Sequence, residues 1–436
     1  MKTKSTKSIL LLFHVLVMMA LSSCKKDKCE QTITYKTYEP VYLTYEELRA
    51  SIKTEAAKPL KNPGKIYILG NYLFVNEIDK GIHVFDNANP SSPQNISFIK
   101  IPGNLDLAAV DGVLYADSYV DLVALNISNP QNVKVLNRVN DAVPYRYYTN
   151  GGTADPTKGV VSEWKEILKT EKISENCNEG NGYYGRGIFM EGDVKGVGIA
   201  ANTFTPTNSA TSISQQPGFG GSTARFTISH NTLYIVDNTN LHIYDISNNS
   251  NPTKVADKNI GWSIETIFPY KNSLFIGSSS GVYIYDISNP VSPTQTSIYN
   301  HITACDPVCV DDEYAYFTLS NDAPCHMGVN QLEVVDITNL ASPTLKITVP
   351  MTNPKGLGID NHKLFVCDGN DGLKVYDASD VMQIQNKMIA HFANINSFDV
   401  IPFNNDLIMV GSDGLYQYDY SNVQNISLLS RIPVEK

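Results

Sequence analysis

The sequence predicts an all-β protein, a seven-bladed β-propeller with a long insertion after the second blade and a short strand and helix near the N-terminus. Three observations predict this class. An apolar strand that ends in Asp or Asn and enters a turn occurs seven times, as in GVYIYDISNPVSP at 281–293. A second apolar strand, such as LFIGS at 274–278, precedes each copy. Four short strands in every 40 or so residues are the period of a propeller blade.

The polar residues that end the repeated strands give the period of the repeat. They are Asp86, Asn126, Asp245, Asp286, Asp336, Asp377 and Asp419. Consecutive members lie 40 to 50 residues apart, except for one interval of 119 residues, which is a repeat of 41 plus 78 inserted residues. Each side chain is expected to accept backbone N–H bonds in the turn that follows it. These residues therefore predict turn caps and not a catalytic or metal-binding set.

Two other architectures fail on the same pattern. A helical solenoid would show an apolar period of 3.6, and a single β-sandwich would not repeat its strands seven times. The alternation in VYIYD puts Val282 and Ile284 on one face of the sheet and Tyr283 and Tyr285 on the other. Both faces then need a neighbouring blade, and a closed ring leaves no end blade exposed.

The first 23 residues predict a signal peptide, because lysines precede an apolar run at 9–20 that is too short to span a bilayer. The next residues, Leu21-Ser22-Ser23-Cys24, resemble the lipobox of bacterial lipoproteins. That resemblance implies cleavage before Cys24, lipidation of this cysteine and tethering to a membrane. The stretch CKKDKCE at 24–30 resembles the charged export signals of Bacteroidetes surface lipoproteins. It implies an outer-membrane lipoprotein at the cell surface, with the periplasmic face as the alternative.

Residues 24–62 predict a lipidated stem, and residues 63–436 predict the propeller with its insertion at about 146–224. In the stem, a strand at 32–43 leads to a helix that is capped by Thr44 and runs to about Ala57. In the insertion, VVSEWKEILK at 160–169 predicts a short helix with Trp164 and Ile167 or Leu168 facing inward. The Ser/Thr/Gln/Gly-rich stretch at 207–224 is expected to be mobile. Such a loop is either a binding element or an elaboration without a ligand.

The charge of the chain excludes one class of partner. The formal net charge is −10, and it becomes −10 − 3 = −13 when Lys2, Lys4 and Lys7 leave with the signal peptide. Nucleic-acid binding needs clustered Lys and Arg, whereas the sequence shows only KKDK at 25–28. We therefore expect no nucleic-acid partner.

No motif for a cofactor or metal is present. The sequence lacks a P-loop, a GxSxG elbow, an HExxH pair and a dinucleotide fingerprint, so we expect neither a cofactor nor a metal. DGNDG at 368–372 has the wrong ligand spacing for calcium. It predicts a tight turn in which Gly369 or Gly372 has a positive φ.

Six cysteines remain after the lipidated Cys24. They are Cys29, Cys177, Cys305, Cys309, Cys325 and Cys367. Their spacing matches no zinc site, and outside the cytosol they permit disulfides. We favour a Cys305–Cys325 disulfide, because the loop APCHMG that contains Cys325 is expected to fold back towards the start of the preceding strand. Cys309 lies in mid-strand and is interpreted as a buried free thiol.

A charged residue recurs at the start of the innermost strand of each predicted blade. These residues, called the charged ring below, are Lys65, Asp106, Arg225, Glu265, Asp306, Lys355 and Asp399. In a propeller they would surround one mouth of the central channel. They are either a self-neutralising set or a site for a polar ligand or cation. Tyr145, Tyr147 and Tyr148 of the insertion would add stacking surfaces to such a site.

The strand pairs LYIVD…LHIYDISN and LFIGS…VYIYDISNPVSP resemble the LVIVD repeat of propeller-type lipoproteins from Bacteroidetes, over residues 60–436 apart from the insertion. The resemblance implies an exported propeller and brings no established activity. We expect a non-enzymatic binding or interaction protein that docks a glycan or an envelope protein at the channel face. The alternatives are a polysaccharide-active enzyme that uses Asp106, Glu265, Asp306 or Asp399, and a purely structural envelope component.

Overall fold

A computed structural model describes residues 28–143, 155–176, 218–301, 307–321 and 329–435, without the side chains of 28–31 and 173–176. Several predicted residues lie outside this range. They are the lipidated Cys24, the three tyrosines Tyr145, Tyr147 and Tyr148, the ring member Asp306, and the disulfide candidates Cys305 and Cys325. Within the described residues, no helix has the length and apolar character needed to cross a membrane.

The described residues divide into two compact units. The first contains residues 28–42, 155 and 161–176, and its core is a two-stranded sheet of β1 (Lys28–Leu43) and β11 (Val160–Asn176). Side chains join the two strands: the Tyr35 hydroxyl donates to Glu171 Oε1 over 2.8 Å, and Lys36 Nζ lies 3.2 Å from Glu166 Oε1.

The predicted helix at 160–169 is wrong, because this stretch belongs to strand β11. Its backbone pairs with β1, a partner more than 100 residues away in the sequence that a local pattern does not reveal. Of the two alternatives for an inward-facing residue, Leu168 is 65% exposed, whereas Ile167 is half-buried. The strand predicted at 32–43 is confirmed and begins earlier, at Lys28.

The second unit contains residues 43–143, 156–160 and all described residues from 218 onward, and it opens with helix α1 (Tyr45–Ala50). Thr44 caps this helix as predicted, since its hydroxyl accepts the Glu47 N–H and Glu47 accepts the Thr44 N–H. The predicted end near Ala57 is wrong. The chain leaves the helix at Ala50 because strand β2 (Lys53–Glu55) pairs with the outer strand of the first blade.

Seven antiparallel blades follow, each with four strands that are consecutive in the sequence. Blades 1 and 2 consist of β3 (Pro63–Leu69), β4 (Tyr72–Glu77), β5 (Gly81–Asp86) and β6 (Gln94–Lys100), then β7 (Leu107–Val110), β8 (Val113–Ser118), β9 (Asp121–Asn126) and β10 (Lys134–Val139). Strand β12 (Phe219–Gly220) precedes blade 3 and pairs with β3. The unit also contains three short 3₁₀ helices, Pro156–Lys158, Val381–Asn386 and Val423–Asn425.

The remaining five blades repeat the same order. Blades 3 and 4 consist of β13 (Phe226–Ser229), β14 (Thr232–Val236), β15 (Asn240–Asp245) and β16 (Thr253–Asn259), then β17 (Ile264–Tyr270), β18 (Ser273–Ser278), β19 (Gly281–Asp286) and β20 (Thr294–Asn300). Blade 5 consists of β21 (Val308–Val310), β22 (Tyr314–Leu319), β23 (Gln331–Asp336) and β24 (Thr344–Pro350). Blade 6 consists of β25 (Leu357–Asp360), β26 (Lys363–Cys367), β27 (Leu373–Asp377) and β28 (Met388–Phe392). Blade 7 consists of β29 (Ser397–Phe403), β30 (Asp406–Gly411), β31 (Gly414–Asp419) and β32 (Ser427–Pro433). The seven-bladed propeller is therefore confirmed.

The faces of each blade are buried by its neighbours, as the alternating pattern predicts. Val282 and Ile284 pack into a cluster with residues of blade 5, whereas Tyr285 packs into a cluster with residues of blade 3. The ring closes where Leu60 pairs with Val434 in a parallel bridge and where blades 7 and 1 share an apolar cluster. Burial of both faces of every blade is the main source of stability in this unit.

The seven turn caps are confirmed. Each Asp or Asn accepts the backbone N–H two residues later, at 2.7 to 3.0 Å. The turn at 368–372 is also confirmed, with positive φ at both Gly369 and Gly372. Cys309 is buried and free as predicted, and Cys367 is likewise a buried free thiol.

Candidate functional site

The described members of the charged ring lie at one end of the innermost strands, as predicted. Lys65, Glu265 and Asp399 lie within the first three residues of β3, β17 and β29. Asp106 and Arg225 directly precede β7 and β13, and Lys355 lies two residues before β25. These inner strands contact one another around the channel, so their starts form one mouth, called the ring mouth below.

A segment that the sequence assigned to the end of the insertion lies inside this channel. Residues 218–225, called the channel segment below, run beside the innermost strands of several blades. The Gly218 N–H donates to Ala109 O over 3.0 Å, and β12 pairs with Tyr67 and Ile68. The Ile267 N–H donates to Ala224 O over 2.8 Å. The last residues of the stretch predicted to be mobile thus form hydrogen bonds to the inner strands.

The channel segment makes a turn at residues 221–224, and this turn binds the carboxylate of Asp399. The turn is closed by the Ala224 N–H, which donates to Gly221 O over 3.1 Å. Asp399 Oδ2 accepts from the Thr223 hydroxyl at 2.6 Å, and its Oδ1 accepts from the Ser222 hydroxyl at 3.3 Å. Asp399 is only 2% exposed, and this burial raises the pKa of its carboxyl.

Two glycines make room for that buried carboxylate. A Cβ atom on Gly221 would lie 2.0 Å from Asp399 Oδ2, and one on Gly356 would lie 2.2 Å from Asp399 Oδ1. Neither distance is compatible with a side chain, so only glycine allows the turn and the start of blade 6 to approach Asp399 this closely.

Asp106 binds the end of the channel segment through its backbone. The Arg225 N–H donates to Asp106 Oδ2, and the Leu107 N–H donates to Oδ1 over 2.7 Å. The side chain is 3% exposed, and this burial raises the pKa of Asp106 to about 6 despite the nearby charge of Lys65. The two buried carboxylates of the ring, Asp399 and Asp106, thus bind the two ends of residues 222–225.

Two cations of the ring bind backbone oxygens in the same region. The Lys65 ammonium donates to the backbone oxygen of Thr223, and Arg225 Nε donates to Glu265 O over 3.3 Å. Burial lowers the pKa of Lys65, whereas the nearby carboxylates of Asp106 and Asp399 oppose this change. Burial also lowers the pKa of Lys355.

The predicted alternatives for the ring were a self-neutralising set and a ligand site. Asp106 and Asp399 bind backbone N–H and hydroxyl groups of the channel segment, and the charge of Lys65 lies near both carboxylates. A cavity of about 140 Å³ beside Asp106, Asp117 and Arg225 is smaller than the roughly 300 Å³ at which small-molecule sites begin. The assignment of a ligand to the ring stays a prediction.

A larger cavity, called the axial cavity below, lies towards the opposite mouth. Its volume is about 400 Å³, and it reaches the ends of the innermost strands at Tyr270, Ile359 and Pro402. Its lining is mostly apolar and includes Phe219 of the channel segment and Cys309 of β21. Phe219 is 54% exposed, and its ring lies 5.5 Å from that of Phe403. The chemistry of this lining suits an apolar ligand.

The sequence signal for the channel segment was present but not decisive. PGFGGST at 217–223 carries the glycines and hydroxyl residues that a tight turn against carboxylates needs, yet the same composition is typical of a flexible linker. The partners lie 100 to 180 residues away, so local reading does not find them. In the part of the chain that the structure describes, no group of three His, Cys, Asp or Glu residues is arranged to hold a metal.

Comparison with known proteins supports the repeat architecture. Residues 63–98, 220–257, 270–301 and 326–350 match the family model described as the LVIVD repeat. The second matched segment begins inside the channel segment, whereas the sequence placed the end of the insertion at 224. No curated protein matches the chain.

Solved structures share the fold at low sequence identity. The periplasmic gluconolactonase of Pseudomonas aeruginosa has a TM-score of 0.52 and 10% identity, with 85% of this chain and 98% of that chain covered. The computationally designed protein Ika8 has a TM-score of 0.50 and 8% identity, with 86% and 88% covered. BamB from Moraxella catarrhalis has a TM-score of 0.46 and 8% identity, with 88% and 97% covered. For the gluconolactonase and Ika8, identities this low show a common fold alone.

Proposed function

We propose that this chain is an exported, lipid-anchored, non-enzymatic binding protein that takes an apolar ligand into the axial cavity. One observation carries the proposal: the two buried carboxylates at the ring mouth, Asp106 and Asp399, are already bound to the channel segment. At the ring mouth the charged ring supports the turn of the channel segment, whereas the apolar axial cavity lies towards the opposite mouth. The ligand is a small apolar molecule or an apolar group of an envelope partner.

The enzymatic alternative receives less support. Cleavage of a glycosidic bond needs two carboxyl groups that flank the sugar and are free to exchange protons with it. Asp106 and Asp399 instead accept hydrogen bonds from backbone and hydroxyl groups of the chain itself. The apolar lining of the axial cavity also favours an apolar group over a glycan.

The anchor is part of the same proposal. The lipobox-like residues before Cys24 support lipidation, and CKKDKCE supports display on the outer membrane, at the cell surface rather than its periplasmic face. We expect Cys24→Ser to abolish labelling of the protein by an alkyne-modified fatty acid in the native cells. Unchanged labelling of the variant would overturn the anchor, and protease treatment of intact cells would then distinguish the two faces of the membrane.

Ligand binding is tested with the uncharged apolar probe N-phenyl-1-naphthylamine. The chain from residue 25 keeps every described strand, since the first begins at Lys28. We expect a saturable rise in probe fluorescence with one site per chain, and a protein that is more thermally stable with bound probe, by about 2.7 kcal/mol at 100 times the Kd.

Two matched variants locate the probe. Ile359→Trp fills the axial cavity that Ile359 lines and is expected to abolish the fluorescence rise. Ile298→Trp adds the same side chain on β20, where Ile298 is 39% exposed, and should leave binding intact. Absence of a saturable signal, or equal binding by both variants, would contradict the proposal, provided that both melt cooperatively.

A further inference from the structure

A second cavity lies on the outer part of blade 1 and is called the lysine groove below. Its volume is about 440 Å³, and residues 55–61 form one wall while the ends of β4, β5 and β6 form the other. The first wall is fixed in place. Strand β2 pairs with β6, the Asn95 side chain donates to Lys58 O over 2.6 Å, and the Asn62 N–H donates to Glu77 Oε1 over 2.6 Å. The groove is therefore preformed.

The groove gathers cations that are scattered in the sequence. Lys58, Lys61, Lys80 and Lys100 all line it. The Lys58 ammonium pairs with Glu55, but Lys61, Lys80 and Lys100 take part in no ion pair among the described residues. Four lysines and two glutamates line the groove, a net charge of 4 − 2 = +2 in a chain whose net charge is −10. An anion bound between the lysines would relieve their mutual repulsion.

The carboxylates in the groove do not supply that anion. Glu77 accepts from the backbone N–H groups of Lys61 and Asn62 and lies 3.0 Å from His83 Nε2. Burial acts to raise the pKa of Glu77, but these hydrogen bonds outweigh it and lower the pKa overall. Glu55 is shared between Lys53 and Lys58. Both carboxylates are therefore committed to partners in the wall.

The floor of the groove is aromatic and contains an unsatisfied polar atom. His83 meets the ring of Phe98 edge-on at 4.8 Å, and Lys58 Nζ lies 4.5 Å from the centre of the Phe98 ring. His83 is 1% exposed, and its Nδ1 has no hydrogen-bond partner among the described residues. Buried polar atoms in native proteins almost always have a partner, and this nitrogen, which has almost no accessible surface, is an exception among the described residues.

We propose that the lysine groove binds a small cyclic organic anion, a molecule that carries at least two carboxylate or sulfate groups on one or two six-membered rings. The ammonium groups of Lys61, Lys80 and Lys100 bind the anionic groups, and the body of the ligand lies against the His83 and Phe98 floor. An aromatic polycarboxylate and an acidic sugar share this chemistry. The groove contains no residue of the axial cavity, so the inference is independent of the proposed function.

Isothermal titration calorimetry of the chain from residue 25 tests the inference. The probes are benzene-1,3,5-tricarboxylate, digalacturonate and sodium sulfate. We expect one-to-one binding of at least one cyclic anion, which weakens at least tenfold in Lys100→Gln and in Lys80→Gln and weakens further as salt is added. Lys134→Gln removes the same charge from the outer strand β10 of blade 2 and should leave the affinity unchanged.

Each outcome has a defined meaning. Binding of the tricarboxylate alone assigns an aromatic anion to the groove, and binding of digalacturonate alone assigns an acidic sugar. If sulfate binds as tightly as the two cyclic anions, the inference that the ligand contains a ring is overturned. No binding of any probe at millimolar concentration, or equal affinity in Lys100→Gln and the intact chain, would overturn it entirely.

Discussion

Replacing Asp106 with asparagine is expected to remove a pH dependence from the stability of the propeller. Burial raises the pKa of Asp106 from 3.8 to about 6. Because the folded state binds this proton more tightly than the unfolded state, the contribution to stability rises as pH falls from about 6 towards 3.8. Between pH 7 and pH 5 these two values predict a gain of about 1.3 kcal/mol from this carboxyl alone.

The gain is measured from guanidinium chloride unfolding of the intact chain and of Asp106→Asn at pH 7, 6 and 5. Asparagine does not titrate, so the variant should gain about 1.3 kcal/mol less than the intact chain on acidification. Other buried carboxyls titrate in both proteins, and the difference between the two isolates Asp106. At pH 7 the variant also loses one acceptor, for either the Arg225 or the Leu107 N–H, which lowers the free energy of unfolding by about 1–3 kcal/mol. Removal of the buried charge offsets part of this loss.

The control is Asp245, an exposed turn cap whose pKa is lowered rather than raised. Hydrogen bonds from Ser247 lower the pKa of Asp245, so this group adds no stability on acidification. Asp245→Asn should therefore keep the full gain between pH 7 and pH 5. An equal gain in the intact chain and in Asp106→Asn would refute the view that Asp106 is buried as a carboxylate beneath the channel segment.

Two further substitutions test the packing of the channel segment and of helix α1. Gly221→Ala places a methyl group 2.0 Å from Asp399 Oδ2 and should cost about 1–3 kcal/mol of unfolding free energy. A Cβ on Gly220 first meets Tyr67 Cδ2 at 3.3 Å, a milder overlap, so Gly220→Ala should cost less. Equal losses would contradict the placement of the turn. Asp121→Asn removes the buried carboxylate that pairs with Arg49 of helix α1 and with Arg138, and it should cost about 3–5 kcal/mol in the same assay. No measurable change is expected from Asp312→Asn, whose ion pair is exposed.

The propeller was predictable because its signal is local and repeated. Each blade carries the same strand, cap and turn, so seven weak patterns support one another, and caps such as Asp286 lie where the spacing placed them. The order of strands within a blade follows from the short connections. The same reasoning placed the charged ring at the starts of the inner strands, since position in the repeat fixes position in the ring.

The channel segment and the lysine groove were not predictable, because both depend on contacts between distant residues. PGFGGST at 217–223 has the composition of a linker, and only the positions of Asp106 and Asp399 in the ring make it a bound turn. Lys80 and Lys100 meet when β5 pairs with β6, and Lys61 joins them when residues 55–61 form the facing wall of the groove. The strand at 160–176 was missed for the same reason, since its partner β1 is far away in the sequence.

Amide hydrogen exchange of residues 218–225, followed by mass spectrometry, tests the central claim most directly. The N–H groups of Gly218, Ala224 and Arg225 are all hydrogen-bonded in the channel. We predict protection as strong as that of strand β14 and much stronger than that of the turn at 246–252. Exchange of the channel segment at the rate of that turn would show that the ring mouth is open, and would return the ring carboxylates to consideration as a ligand or catalytic site.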